Sequence, residues 1–126
     1  MLHMKITTTH SKIETSTTLK SLIKERLNKD VIRYLESITQ IGGRLNVPVY
    51  AVGGFVRDLI LNVPNKDIDI VVEGEGIPFA VCLAELFGGK IKSHEKFGTS
   101  VVILSNGDRI DVATARTEYY KYPAAL

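Results

Sequence analysis

Lys66-Asp67-Ile68-Asp69-Ile70-Val71-Val72 is the stretch on which the fold turns. It alternates polar and apolar residues and then becomes continuously apolar, which reads as a strand over 67–72. Residues i and i+2 of a strand share a face. Asp67 and Asp69 therefore point together, while Ile68 and Ile70 point into a core. Two like charges side by side repel unless solvent or a cation neutralises them. Mg²⁺ suits such a pair, because it takes hard oxygen ligands and lets substrate phosphates complete its octahedron. The competing reading is a solvated strand face carrying two aspartates by chance, which is common for an isolated Asp-x-Asp.

Downstream, Arg109-Ile110-Asp111-Val112-Ala113 is another apolar strand with one carboxylate in its middle. A charge inside a strand is uncommon without a partner. If this strand neighbours the first, three carboxylates converge. Such a cluster can hold two metal ions roughly 4 Å apart, the arrangement that clamps the attacking and leaving oxygens of phosphoryl transfer. The alternative partner for Asp111 is Arg109 or Arg116.

Upstream, the apolar strand Val49-Tyr50-Ala51-Val52 halts at Gly53-Gly54, and a helix follows from Phe55 to Leu61. Two glycines at that junction let the backbone approach a ligand closely. The helix N-terminus offers free N–H groups to a phosphate, and Arg57 can add a forked donor. Asp58 can hold Arg57 or tie down the turn. The plain reading is a tight strand–helix turn with a local Arg57–Asp58 pair. Neither the Walker A pattern nor the dinucleotide fingerprint is matched.

Around these motifs, Ile77–Phe87 reads as a largely buried helix closed by Gly88-Gly89. Lys90–His94, Thr99–Leu104 and Arg109–Thr114 read as strands, with a hairpin at Asn106-Gly107. Residues 49–126 thus form a β-α-β-α-β-β-β domain, α/β or α+β, with a mixed five-stranded sheet flanked by helices. Residues 19–48 form an N-terminal helical segment. Two helices separate near Asn28, a cap candidate, and Gly42-Gly43 weakens the second near its end. Residues 1–18 read as a linker or the end of a preceding domain, with a weakly ordered strand as the alternative for 5–18.

Composition bounds the possibilities. The chain has 126 residues, room for one small domain. Residues 1–49 carry eight Lys/Arg against four Asp/Glu, and residues 50–126 eight against ten. The second part lacks the basic excess of a strong nucleic-acid binder, while its acidic surplus suits a divalent-metal site. Cys82 is the single cysteine, so no disulfide forms within the chain, which fits a reducing cytoplasm. No apolar run is long enough to span a membrane. His3, His10 and His94 lack metal-ligand spacing. Cys82 reads as a core residue, and Lys90, Lys92 and Lys96 as either a solvated face or an RNA-backbone contact.

Gly-Gly-Phe-Val-Arg-Asp (53–58) followed by Lys-Asp-Ile-Asp-Ile (66–70) resembles the head domain of the bacterial-type tRNA nucleotidyltransferase and poly(A) polymerase family, within the polymerase-β-like nucleotidyltransferases. The likeness runs from Val49 to Leu126, through His94–Thr99 and Ile110–Glu118. Val71–Gly74 and Glu118-Tyr119-Tyr120 look more like A-adding members.

The resemblance implies template-independent transfer of AMP, with CMP as an alternative, from a nucleoside triphosphate to the 3′ end of tRNA, with release of pyrophosphate. It implies Mg²⁺ on Asp67 and Asp69, with Asp111 as a third acidic position, and nucleotide contacts at Gly53, Gly54 and Arg57. ATP, alternatively CTP, is the substrate and an RNA 3′ end the partner. The family's downstream arginine-rich and base-selecting segments are missing from 49–126, so the head domain reads as truncated and further domains of the same chain as partners. The alternatives are a poly(A) polymerase acting on other RNA ends, a small-molecule nucleotidyltransferase and a silent RNA-binding domain.

Overall fold

The computed structural model describes residues 3–6 and 17–115. In chain order the elements are β1 (His3–Ile6), α1 (Thr17–Arg26), α2 (Lys29–Leu45), β2 (Val49–Val52), α3 (Gly53–Leu61), β3 (Asp67–Val72), α4 (Gly76–Phe87), β4 (Lys90–His94), a 3-10 turn (Glu95–Phe97), β5 (Thr99–Ile103) and β6 (Arg109–Thr114). The break between α1 and α2 falls where the sequence places it. The Asn28 side chain accepts a hydrogen bond from the Val31 N–H at 2.9 Å, so it caps α2. Gly42 and Gly43 do not end that helix, which runs on to Leu45 and closes at Asn46 in the left-handed conformation. Gly42 is buried there.

The strands form one sheet in the order β1-β2-β3-β6-β5-β4. The β3–β6 pair is parallel and the other pairs are antiparallel. The five expected strands are all present, and β1 adds a sixth at the edge beside β2. Residues 3–6 are strand, overlapping the stretch for which a weakly ordered strand is one reading, and α1 begins at Thr17 rather than Leu19. Main-chain hydrogen bonds to an available sheet edge recruit a segment whose side-chain pattern alone does not announce a strand.

Alternation places one set of strand residues under the helices. Val49, Ala51, Ile68, Ile70, Val72, Val102, Ile110 and Val112 are all buried. They share one cluster with Val31, Leu35, Ile38 and Ile41 of α2, Phe55 and Leu59 of α3, and Phe79 and Leu83 of α4. The boundary drawn at residue 49 therefore marks no break in packing: α2 belongs to the same core as the strands. On α4 only one face is buried; Val81 and Leu86 are exposed, and Cys82 packs partly buried against the core.

At the hairpin, Asn106 donates to Asp108 Oδ2 at 2.9 Å and accepts from the Asp108 N–H at 2.9 Å. The Tyr34 hydroxyl of α2 donates to Asp108 at 3.2 Å, tying the hairpin to the helical layer. No helix among the described residues is long and apolar enough to cross a membrane.

Candidate active site

The strand face opposite the helices carries the chemistry. On β3 the burial alternates so that Ile68, Ile70 and Val72 are buried while Asp67 is exposed and Asp69 half-buried. The parallel register sets Asp69 directly beside Asp111 of β6, and Asp67 beside Arg109. The Asp69 and Asp111 carboxyls are close enough to share a proton through a hydrogen bond, and Asp67 is near enough for its charge to act on Asp69.

Burial, that hydrogen bond and the charges of Asp111 and Asp67 together push the Asp69 carboxyl up to about 6. The backbone N–H of Phe55 pulls the other way. Phe55 lies in the first turn of α3, where N–H groups lack helical partners. The α3 cap residue, Val52, makes no side-chain cap bond. Asp69 thus faces the open helix N-terminus from the neighbouring strand.

Asp111 has a carboxylate neighbour and one of its two candidate arginines within reach. Besides Asp69, its Oδ1 accepts from Arg109 Nη2 at 3.3 Å. Arg116 lies outside the described residues, as do Glu118 to Tyr120 and His10. Among the described residues, no three His, Cys, Asp or Glu side chains are gathered so that they hold a metal ion by themselves. The expected three-carboxylate convergence is therefore closest between Asp69 and Asp111, with Asp67 two residues along the same face. This donor set fits Mg²⁺ in the manner usual for that ion, one or two carboxylates with the remaining positions filled by water and substrate phosphate.

Gly53 and Gly54 sit beside these groups for different reasons. Gly53 has φ +66°, a backbone conformation that side chains rarely adopt. A Cβ there would lie 3.4 Å from Asp69 Oδ2, an ordinary contact, so conformation rather than space selects glycine. A Cβ on Gly54 would meet only the flexible Arg57 guanidinium at 3.3 Å. The fold itself makes no demand for glycine at 54.

Arg57 is well exposed, with 63% of its side chain accessible, and its Nε donates to Asp58 Oδ1 at 3.1 Å. The local Arg57–Asp58 pair is real, and it leaves the terminal guanidinium nitrogens in solvent beside Gly54. Asp58 also accepts from Asn65 Nδ2 at 2.8 Å, and both bonds hold its carboxyl below the usual range. Asn65 Oδ1 in turn accepts from the Asp67 N–H at 2.8 Å. Nothing in the sequence reading singled out Asn65. The available signal was its place two residues before Asp67, the spacing at which an Asn side chain bonds the backbone ahead.

Lys90, Lys92 and His94 lie exposed on the edge strand β4. Lys96 sits 5.8 Å from the exposed Phe97 ring.

The chain is similar to known proteins over most of its length. An A-adding tRNA nucleotidyltransferase of Geobacter sulfurreducens is 48% identical over 105 residues, 83% of this chain but 12% of that protein's length. The Thermotoga maritima CCA-adding enzyme, solved in complex with tRNA, matches with a TM-score of 0.75 and 43% identity, over 79% of this chain and 24% of that one. A CCA-adding enzyme solved with ATP matches with a TM-score of 0.75 and 40% identity, over 85% of this chain and 26% of that one. The chain thus spans between 12% and 26% of the length of these proteins. Residues 49–125 match the poly(A) polymerase head domain. With the paired carboxylates, the glycine turn and Arg57 all inside the matched region, the chain belongs to the poly(A) polymerase head-domain family.

Proposed function

We propose that this chain is the nucleotide- and metal-binding part of a template-independent RNA nucleotidyltransferase. It transfers AMP from ATP to the 3′ end of tRNA and releases pyrophosphate. The observation that carries the reading is the pairing of Asp69 with Asp111 across adjacent parallel strands, on the face shared with Asp67 and beside the Gly53-Gly54 turn and Arg57. Nucleotidyl transfer needs negative charge held next to a phosphate site, and here the two lie side by side. The A-adding relative and the tRNA and ATP complexes of similar enzymes support tRNA and ATP as substrates. The free thiol of Cys82 suits a cytoplasmic enzyme.

Asp67 and Asp69, with Asp111, would hold Mg²⁺, which supplies charge neutralisation for the triphosphate and for the ionising 3′-hydroxyl. The chain's own residues do the rest. The Gly53-Gly54 turn lets the triphosphate approach the backbone, and the exposed guanidinium nitrogens of Arg57 donate to its oxygens. Asp58 holds Arg57 in place through Nε. The 3′-oxygen bonds to the α-phosphorus as the bridge to the β-phosphate breaks. Positioning and charge complementarity supply most of the acceleration.

The test is single-nucleotide incorporation by the full-length protein with Mg²⁺, offered tRNAs ending before CCA, after CC, and complete. Incorporation of A alone onto the CC end is expected. Asp69→Asn, which keeps the shape and removes a ligand charge, should abolish it. Ordered C, C, A addition would make CTP a second substrate, and long A tails would mark a poly(A) polymerase. No incorporation on any end would leave a small-molecule transferase or a silent RNA-binding domain.

A further inference from the structure

The geometry points to Asn65 as a positioning residue for the transfer: one side chain holds both the metal-binding strand and the nucleotide-contacting arginine in register. This rests on the function proposed above. The carboxamide is used at both ends. Its oxygen accepts from the Asp67 N–H at 2.8 Å, at the first residue of β3. Its nitrogen donates to Asp58 Oδ2 at 2.8 Å, and the other Asp58 oxygen accepts from Arg57 Nε at 3.1 Å. Asp58 is shielded, with 13% of its side chain accessible, while Arg57 stands out in solvent. Arg57 and Asp67 approach the substrate from different elements, α3 and β3, and Asn65 is the residue bonded towards both.

Packing does not do this work. Between α3 and β3, Asn62, Val63, Pro64 and Lys66 are exposed, and Asn65 is the half-buried member of the turn. Behind it lies a cavity of about 160 Å³ whose walls include Arg26, Phe55, Asp58, Asn65 and Lys66. A turn with open space behind it is held by its hydrogen bonds. Removing those at Asn65 should loosen the relation between Arg57 and Asp67; the core residue Phe55 shares the cavity wall but stays buried without these bonds.

Two variants separate the two bonds in the full-length protein. Asn65→Ala removes both. Asn65→Asp keeps an acceptor for the Asp67 N–H and loses the donor, placing a carboxylate against Asp58. The readouts are kcat, KM for ATP, the Mg²⁺ concentration giving half-maximal rate, and Tm. Asn65→Ala should lower kcat/KM about 10–100-fold, the range for losing a residue that orients metal ligands. It should raise the Mg²⁺ requirement while Tm stays within a few degrees. Asn65→Asp should raise KM for ATP with a smaller change in Mg²⁺ requirement.

Wild-type kcat, KM and Mg²⁺ dependence in Asn65→Ala would overturn the proposal. So would an activity loss in both variants that follows Tm with the Mg²⁺ requirement unchanged, since that marks a purely structural turn residue. Asp69→Asn in the same assay keeps the two readings apart. If it is inactive while Asn65→Ala is normal, only the role of Asn65 falls. If Asp69→Asn is active, the functional reading falls and the role of Asn65 with it.

Discussion

Asp69 is the residue whose environment is least comfortable. Its carboxyl is raised to about 6 from an ordinary 3.8, chiefly by burial and then by Asp111 and Asp67. A pKa raised on folding means that the folded chain binds the proton more tightly than the unfolded one. That contribution to stability is complete below about pH 4 and is lost as pH rises through about 6. Without metal, ionised Asp69 therefore works against folding at neutral pH, by about 1–2 kcal/mol once its partial exposure to solvent is allowed for.

Metal-free Asp69→Asn should consequently melt above the unsubstituted chain at pH 7, with the gap closing towards pH 4. Added Mg²⁺ should narrow the gap at pH 7, because a cation replaces the proton as the neutralising partner. Melting curves across pH 4–7, with and without Mg²⁺, check this. A gap that is independent of pH would mean that Asp69 ionises without penalty. The sequence made the charge pair on β3 legible. Proximity to Asp111 was conditional on which strands are neighbours, and the Phe55 N–H contact was not readable at all.

At the scale of elements, α3 is held at both ends by groups from elsewhere in the chain. Its N-terminus faces Asp69, and at its C-terminus Arg26 Nη1 of α1 donates to the Leu59 and Ile60 carbonyls at 2.9 and 2.8 Å. The terminal carbonyls of a helix lack intrahelical donors, so an arginine there satisfies them and complements the helix dipole. Arg26→Ala should cost about 1 kcal/mol, since the site is largely open to water, which can replace the lost donors. A fall in Tm of a few degrees is the expected reading. An unchanged Tm would show that solvent substitutes fully.

Strand and helix identities came through well from periodicity and glycine punctuation. Asn28 capped α2, and Gly88 closed α4 at φ +67°. β1 was legible only as one of several readings, because its partner, not its own pattern, makes it a strand.

For the whole molecule, the deciding feature is that α2 and the sheet share one core. Leu35 is fully buried among residues of α3, α4 and the strands. Leu35→Ala should cost about 2–5 kcal/mol, a large part of the roughly 5–15 kcal/mol typical of a domain. A fragment beginning at Val49 should fail to unfold cooperatively in denaturant, although it contains the whole matched family region. A sharp, two-state transition for that fragment would show that α2 is dispensable.

What the sequence determined by itself was local. Alternation placed Asp67 and Asp69 on one face, the glycine pair marked the turn before α3, and the motif spacing marked the family. These follow from periods of two and 3.6 residues and from backbone freedom at glycine, all properties of near neighbours in the chain. What only the tertiary structure decided was the partnership between distant segments: β6 beside β3 in parallel register, and α2 beneath the sheet. Sheet order and hydrogen-bond closure depend on which surfaces exclude water together. That is settled by the packing of the whole chain, and no single stretch of it carries the answer.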